Sequence, residues 1–311
     1  MESSNKHLLM IAGSDIDTFY NVESFIGAGD ACMCELVGKK VGGCTLNVAV
    51  VAAAKGLDVK AIDYLKADDE DSRMLIDELN RKKVDTSYFQ FDRDATNGSC
   101  LIMKKDEERC IYVIEPRRPF YRIDERFKDL LFGSLFIYSL AHTLRISFEN
   151  MDILKEAKKH GAKLIFDASG QYSDLRDRDM LYELADGAFI NRKSYERLKG
   201  VSGGEPKDIL LNNGALFVAV TDGDKGARLY TKEKEYYAEA MKIDALDTTG
   251  AGDSFAGCFL ACLAEGYDYE TALHLASANG AYACMKEGGM AGAVSFEEVR
   301  DFAKTASYKT E

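Results

Sequence analysis

The chain has 311 residues and a formal net charge of −12, long enough to bury a substantial core as one large α/β domain or two modest ones. Hydrophobic residues make up 46% and charged residues 30%, the balance of a folded globular protein, which excludes an intrinsically disordered chain. So acidic a surface repels phosphate backbones and anionic lipid, so neither nucleic acid nor a membrane is expected as the main partner.

The first fifteen residues hold too short an apolar run for a signal peptide or a membrane span. The eight cysteines include no Cys-x-x-Cys pair and have no His at zinc-ligand spacing. Cys258 and Cys262 share a helix face with Phe255 and Phe259 and read as small core residues. Free thiols in apolar surroundings fit a reducing compartment, and a cytoplasmic location is expected.

In chain order, residues 7–12 form the first expected strand. Further strands are expected at 59–63, 134–138, 163–167, 188–191 and 216–221, each short, apolar and bounded by Gly, Asp or Ser, as strands buried on both faces are. Between them lie stretches of helical period. Residues 69–82 bring Met74, Leu75 and Leu79 together, and 148–159 align Met151, Leu154 and Ala157 before cations and a glycine close the helix. This alternation predicts an α/β fold, a doubly wound and mostly parallel sheet flanked by helices. Two regions, 15–43 and about 96–115, show period-two pattern without an intervening helix. They predict a small antiparallel excursion, a lid inserted into a single domain that spans the chain, with no linker or repeat dividing it.

The chemistry concentrates at Asp247-Thr248-Thr249-Gly250-Ala251-Gly252-Asp253, directly before a helical run from 254 to 264. Small residues at a helix start let backbone N–H groups approach an anion, and the helix dipole adds favourable potential. Asp253 could be only an N-cap. A cap does not account for a carboxylate beside an anion cradle, where it would repel phosphate; a base taking a proton from an attacking hydroxyl does.

The full string resembles the C-terminal signature of the ribokinase family, the PfkB carbohydrate kinases. The resemblance implies a ribokinase-like fold, Gly250, Ala251 and Gly252 as the anion hole, and Asp253 as catalytic base. Val41-Gly42-Gly43-Cys44-Thr45-Leu46-Asn47-Val48-Ala49 resembles the family's N-terminal signature, which implies that Gly42, Gly43 and Asn47 contact the hydroxyls of an acceptor. Gly13-Ser14-Asp15-Ile16-Asp17 resembles the first strand-to-loop turn, with its substrate-binding Asp; Asp15 and Asp17 are both eligible, Asp17 being favoured. For ATP the resemblance implies Asn191, then Thr221, Gly223 and Gly226 in a strand-turn-strand element, and Asn279 beside the adenine. Asp247 and Thr249 match positions where some members bind a monovalent cation such as K⁺.

Mg²⁺ is expected because a transferring phosphoryl group needs its charge, although Ser194 stands where the family usually carries Glu. Arg117 and Arg118 replace the family's small residues after the lid strand, pairing with the acidic surface or reaching an anionic acceptor. Residues 167–170 lack the Arg that sugar kinases often carry there. No Walker-type loop is present. The expected activity is transfer of the γ-phosphate of ATP to a hydroxyl of a sugar or similar small molecule. A nucleoside or vitamin kinase of the same fold shares these motifs, and a non-catalytic relative would be expected to have lost Asp253 or the glycines. Family precedent allows a homodimer through the lid.

Overall fold

Alternation along the first strand sets the layering. In a computed structural model, which describes residues 6–11, 13–106, 108–169 and 175–305, β1 (His7–Ile11) is buried on both faces. Leu8 and Met10 pack into one apolar cluster, and Leu9 and Ile11 into another on the opposite side. The later strands split the same way, Phe217 and Ala219 to the first cluster and Val218 and Val220 to the second. A period-two run with no polar face can be satisfied only between two helical layers.

The remaining strands are β2 (Asp15–Val22), β3 (Cys34–Gly42), β4 (Val59–Ile62), β5 (Tyr64–Lys66), β6 (Gln90–Asp92), β7 (Gly98–Lys105), β8 (Glu108–Ile114), β9 (Ser134–Leu140), β10 (Lys163–Asp167), β11 (Gly187–Asn191), β12 (Phe217–Thr221), β13 (Ala227–Tyr230) and β14 (Glu235–Ala238). Together with β1, seven of them form one sheet in the order β14-β13-β12-β11-β10-β9-β1-β4. The six from β12 to β4 run parallel, and β13 and β14 add an antiparallel edge. Helices Cys44–Ala54, Ala251–Ala264 and Tyr269–Cys284 cover one face through residues such as Leu46, Phe255, Phe259 and Leu273. Helices including Glu125–Phe132, Asp152–Lys159 and Arg192–Ser202 cover the other through Phe127, Leu154 and Leu198. The doubly wound sheet is as the alternation predicts. Among the described residues, no helix is long and apolar enough to cross a membrane.

The 15–43 and 96–115 segments build a second sheet, β3-β2-β7-β8. Its two hairpins are antiparallel as expected, but the ladder joining them, β2 to β7, is parallel. The two hairpins enter from separate points on the body, so no tight turn forces their inner strands to oppose. The helix expected over 148–159 also differs. A short helix, Ala141–Ser147, ends at an extended Phe148, and a new one begins at Asp152. Ala12 of the first expected strand lies outside the described residues.

From β1 the chain moves to β4 on one side and later resumes at β9 on the other. The order therefore reverses between β1 and β9, and the carboxyl ends of those strands are where an open α/β sheet makes its crevice. Helix Ala251–Ala264 reaches that crevice by crossing helix Cys44–Ala54 closely. A Cβ at Gly257 would meet the carbonyl of Val48 and the side chain of Val51 at 2.8–2.9 Å. Gly257→Val should therefore cost about 1–3 kcal/mol through overpacking, read as a lower urea midpoint with an unchanged slope; a wild-type midpoint would refute this close crossing.

Candidate active site

Two motifs 206 residues apart meet in one hydrogen bond. Asn47 Nδ2 donates to Asp253 Oδ2 at 2.7 Å. Asn47 is placed by the first turn of helix Cys44–Ala54, where its N–H donates to Gly43 O at 3.1 Å. Gly43 has φ 106°, and a Cβ there would strike the carbonyl of Gly13, so only glycine allows this entry to the helix. Gly13 in turn donates its N–H to Thr45 Oγ1 at 3.1 Å. The loop after β1 and the start of the helix are thus tied together.

Asp253 lies in the first turn of helix Ala251–Ala264, which starts three residues earlier than the apolar spacing implies. Its N-cap, Gly250, adopts the left-handed conformation, with φ 74° and no side-chain cap. A Cβ on Gly250 would run into the backbone of Gly289, and one on Gly289 would come within 2.6 Å of Asn47 Nδ2. The glycines at 288, 289 and 292 therefore let one loop touch both motifs. Sequence reasoning passed over that loop, although three glycines in five residues after a helix were a visible signal. Gly252 faces open space. The Ala251 N–H donates to Thr248 O at 3.3 Å, and with no side-chain cap at the helix start the Asp253 carboxylate lies among first-turn amides.

That carboxylate is poorly solvated. Burial pushes Asp253 up to about 7; the Asn47 hydrogen bond opposes the rise and the neighbouring Asp167 adds to it. Asp167 was noted only for the Arg missing after it, and residues 170–174 lie outside the described residues. It ends β10 and accepts the Ser169 N–H at 2.8 Å. Burial raises its own pKa against hydrogen bonds from Ser169, Tyr138 and Cys44.

Asp15 and Asp17 stand on the same face of β2. Asp15 is in register with Gly42 on β3 and with Gly98 on β7. A Cβ at Gly98 would collide with Asp15, and one at Gly42 with Asp17, so the carboxylates fill the space those glycines leave. Burial, then Asp63 and Asp17, push Asp15 up to about 7, with Arg118 pulling the other way. Burial also raises Asp17, against a hydrogen bond from the Cys100 thiol. Asp63, at the end of the strand expected over 59–63, is fully buried and accepts the amides of Ser14 at 2.9 Å and Tyr64 at 2.7 Å. Its third partner is Arg118, paired with it at 3% side-chain exposure. Of the two arginines, only Arg117 is on the surface; Arg118 belongs to the interior of the site.

The other expected residues divide. Asn191 and Thr221 are neighbours in register at the ends of β11 and β12. Gly223 and Gly226, both at positive φ, turn the chain into β13 beside a cleft of about 510 Å³ lined by Arg192, Asp222, Gly226 and Tyr237 among others. The Asn191 side chain caps the next helix by accepting the Ser194 N–H at 2.8 Å. Asn279 is neither exposed nor open to a ligand. It is fully buried, its Oδ1 takes Lys55 Nζ at 3.2 Å and its Nδ2 donates to Ser254 O at 2.9 Å. Both ends of its amide are used inside the protein, tying its helix to Lys55 and to Ser254.

The cation expectation meets donors that do not fit it. The carboxylate oxygens of Asp247 accept the amides of Thr249 at 2.9 Å and Gly288 at 3.0 Å. Burial pushes Asp247 up, but these hydrogen bonds and Arg109 outweigh it and leave the carboxyl below its usual value. The Thr249 hydroxyl accepts Arg109 Nη1 at 2.7 Å. A guanidinium from β8 therefore supplies positive charge at this pair. Nothing in the sequence linked Arg109 to a turn 140 residues away. For Mg²⁺, Ser194 is buried and carries no charge, and Glu196 pairs with Arg192 at 3.4 Å. Among the described residues, no group of three or more His, Cys, Asp or Glu could hold a metal.

Residues 6–295 match the family described as pfkB family carbohydrate kinase. A 5-dehydro-2-deoxygluconokinase of Bacillus subtilis is 25% identical over 295 residues, covering 86% of this chain and 88% of that protein. A deoxyribokinase of Salmonella typhi is 26% identical over 273 residues, covering 84% and 87%. The ribokinase of Arabidopsis thaliana, solved with ribose and ATP, shares the fold with a TM-score of 0.81 at 18% identity, over 96% of this chain and 99% of that one. The chain belongs to the pfkB family of carbohydrate kinases, phosphotransferases that use an alcohol group as acceptor, and its architecture is the ribokinase fold.

The raised pKa of Asp253 has a consequence for stability. Because the folded value lies above the unfolded one, the favourable contribution is complete below 3.8 and is lost as pH rises through about 7. Asp253→Asn removes the buried charge. The variant should melt above wild type at pH 8, with the gap closing as pH falls toward 4, followed by circular dichroism at several pH values; a pH-independent gap would refute the burial argument.

Proposed function

We propose that the chain transfers the γ-phosphoryl group of ATP to a hydroxyl of a sugar or sugar-like molecule within one catalytic domain. Asp253 is the general base and the amides of the Gly250-Ala251-Gly252 turn form the anion hole. The observation that carries this reading is the 2.7 Å hydrogen bond between Asn47 and Asp253. It puts a residue of the acceptor motif in direct contact with the base of the phosphate motif. The acceptor lies among Asp15, Asp17, Gly42, Gly43 and Asn47, its reacting hydroxyl toward Asp253. A carboxylate with a pKa of about 7 is matched to taking that proton at neutral pH.

ATP occupies the other side of the crevice, near Asn191, Thr221, Gly223 and Gly226, with its γ-phosphate toward the turn. Helix-start amides then stabilise charge on the phosphoryl oxygens. Mg²⁺, when bound with the nucleotide, would neutralise phosphate charge; near Ser194, Glu196 is paired with Arg192. The sheet β3-β2-β7-β8 acts as the lid. Closed, it excludes water and so limits hydrolysis of ATP. Apolar side chains exposed on β3 and β8, among them Leu36, Val37, Tyr112 and Val113, support pairing of two copies through this sheet.

Asp253→Asn should lower kcat by at least about 1,000-fold, a typical loss for a positioned general base, while ATP affinity measured by calorimetry changes little. Retained full turnover would overturn the assignment. ADP release from a panel of sugars, nucleosides and vitamins separates the carbohydrate reading from its nucleoside or vitamin alternative.

Arg109, held over Thr249, is placed to approach the phosphoryl oxygens when the lid is down. Arg109→Ala should lower kcat by about 10–100-fold, the range for loss of one charge-assisted contact, with the KM of the acceptor nearly unchanged. A fall confined to the acceptor KM would count against this role.

A further inference from the structure

Lys55 carries a buried charge that the proposed chemistry does not use. It closes the C-terminal end of helix Cys44–Ala54 at 6% exposure. Burial pulls its pKa down, with Cys258, Cys262 and Glu298 opposing the fall. Its hydrogen bonds go to neutral oxygens: Val294 O at 2.6 Å, Asn279 Oδ1 at 3.2 Å and Gly292 O at 3.3 Å. Three donors thus meet three acceptors, which fills the capacity of an ammonium. An apolar side chain of the same length would occupy this space without desolvating a charge. Packing alone therefore does not account for a lysine here, whereas holding three oxygens at one point does.

Two of those oxygens belong to the segment 285–294, which follows helix Tyr269–Cys284. Its own hydrogen bonds are short turns: Ala291 N–H to Gly288 O, Ala293 N–H to Met290 O and Val294 N–H to Gly292 O, at 2.9–3.1 Å. Such turns fold the segment on itself without fixing it against the body. Anchors to the body come near its two ends. Gly288 N–H donates to Asp247 Oδ2 at 3.0 Å, and at the other end stand the two carbonyls held by Lys55. Between these anchors, a Cβ on Gly289 would clash with Asn47, one on Gly250 with Gly289, and one on Gly292 with Ser254. Contacts this close weaken within about 1 Å of separation, so they last only while the segment is anchored. Lys55 and Asn47 also sit on one helix, about 12 Å apart along its axis. The segment is thereby fixed to the same rigid element that carries Asn47 to Asp253.

We infer that Lys55 is a positioning residue for phosphoryl transfer: its ammonium pins the carbonyls of Gly292 and Val294, holds Gly289 against Gly250 and Asn47, and so keeps the anion-hole turn and the Asn47–Asp253 contact aligned. The inference rests on the reading of Asp253 as base and of residues 250–252 as anion hole. It adds to that reading the group that holds the two together, acting through the segment and not on the substrate.

Lys55→Met keeps the apolar stem and removes the ammonium. The folded variant should lose kcat by about 10–100-fold, the size of effect that a misplacement of about 1 Å produces, with both KM values nearly unchanged. The pH profile supplies a readout that a merely structural role would leave alone. The Asn47 hydrogen bond holds Asp253 down, so loosening it raises that carboxyl further above about 7 and moves the acid limb of kcat to higher pH. Asp167, Cys44 and Tyr138 also face Asp253 and are the same in both proteins. Asn279→Ala removes one of the three oxygens from the opposite side. It should give the same shift with a smaller loss, and it decides the matter if Lys55→Met does not fold. Wild-type kcat with an unmoved acid limb in a folded variant would overturn the inference.

Hydrogen exchange without substrate separates this inference from the kinase reading. In Lys55→Met, amide exchange should quicken together at 286–294 and 250–254, with the other helices at wild-type rates. If wild type phosphorylates nothing in the acceptor panel, such coupled exchange would uphold the positioning role and overturn the kinase reading. Exchange unchanged at 250–254, or faster by the same factor throughout the chain, would overturn the positioning role itself.

Discussion

The hydrogen bond from Asn47 to Asp253 sets the terms for the rest of the molecule. A 2.7 Å contact between two helix starts demands that both helices enter the crevice at defined heights, which makes glycine necessary at several points. Gly43 allows the first helix to begin against the β1 loop, Gly257 lets the two helices cross closely, and Gly250 and Gly289 interlock. Lys55, at the far end of the first helix, is buried and donates to Val294 O at 2.6 Å as well as to Asn279. Both ends of that helix are therefore anchored to the C-terminal third of the chain.

Holding these groups together has an electrostatic cost. Asp15, Asp17, Asp167 and Asp253 are all held above their ordinary pKa, burial being the largest cause in each case. A fold optimised for stability alone would not gather them. The compensation is local: amides on Asp63, a guanidinium beneath it, and thiol or phenol hydrogens on Asp17 and Asp167. Each holds a carboxylate in place without neutralising the crevice as a whole. The small sheet contributes Asp15 and Asp17 through β2 and the Arg109 contact through β8, so movement of that sheet would shift all three together.

Much of this was legible from residues in a row. β1, β10 and β12 declared themselves as unbroken apolar runs, because a strand buried on both faces has no alternative composition. The Gly-Ala-Gly-Asp turn and the Gly-Gly pair with Asn47 were readable because close backbone approach to an anion or a hydroxyl permits few residue types. The break at Phe148 was not readable, since apolar spacing continues across it. The parallel join between β2 and β7 was hidden for a related reason: period-two patterning reports which face a residue takes, not the direction of its neighbour.

The site's second tier shows the same division. Around Asp253, the residue types and their spacing raised the expectation of a carboxylate beside uncapped helix-start amides, because such a turn admits few residue types. Where Arg118 lay and what the Asn279 amide met each turned on a partner more than fifty residues away, Asp63 for the one and Lys55 for the other. The same is true of Asp63, Asp167 and Arg109. Local sequence records what a backbone segment can do by itself, whereas the charge of a crevice is a sum over distant segments and exists only once they are packed together.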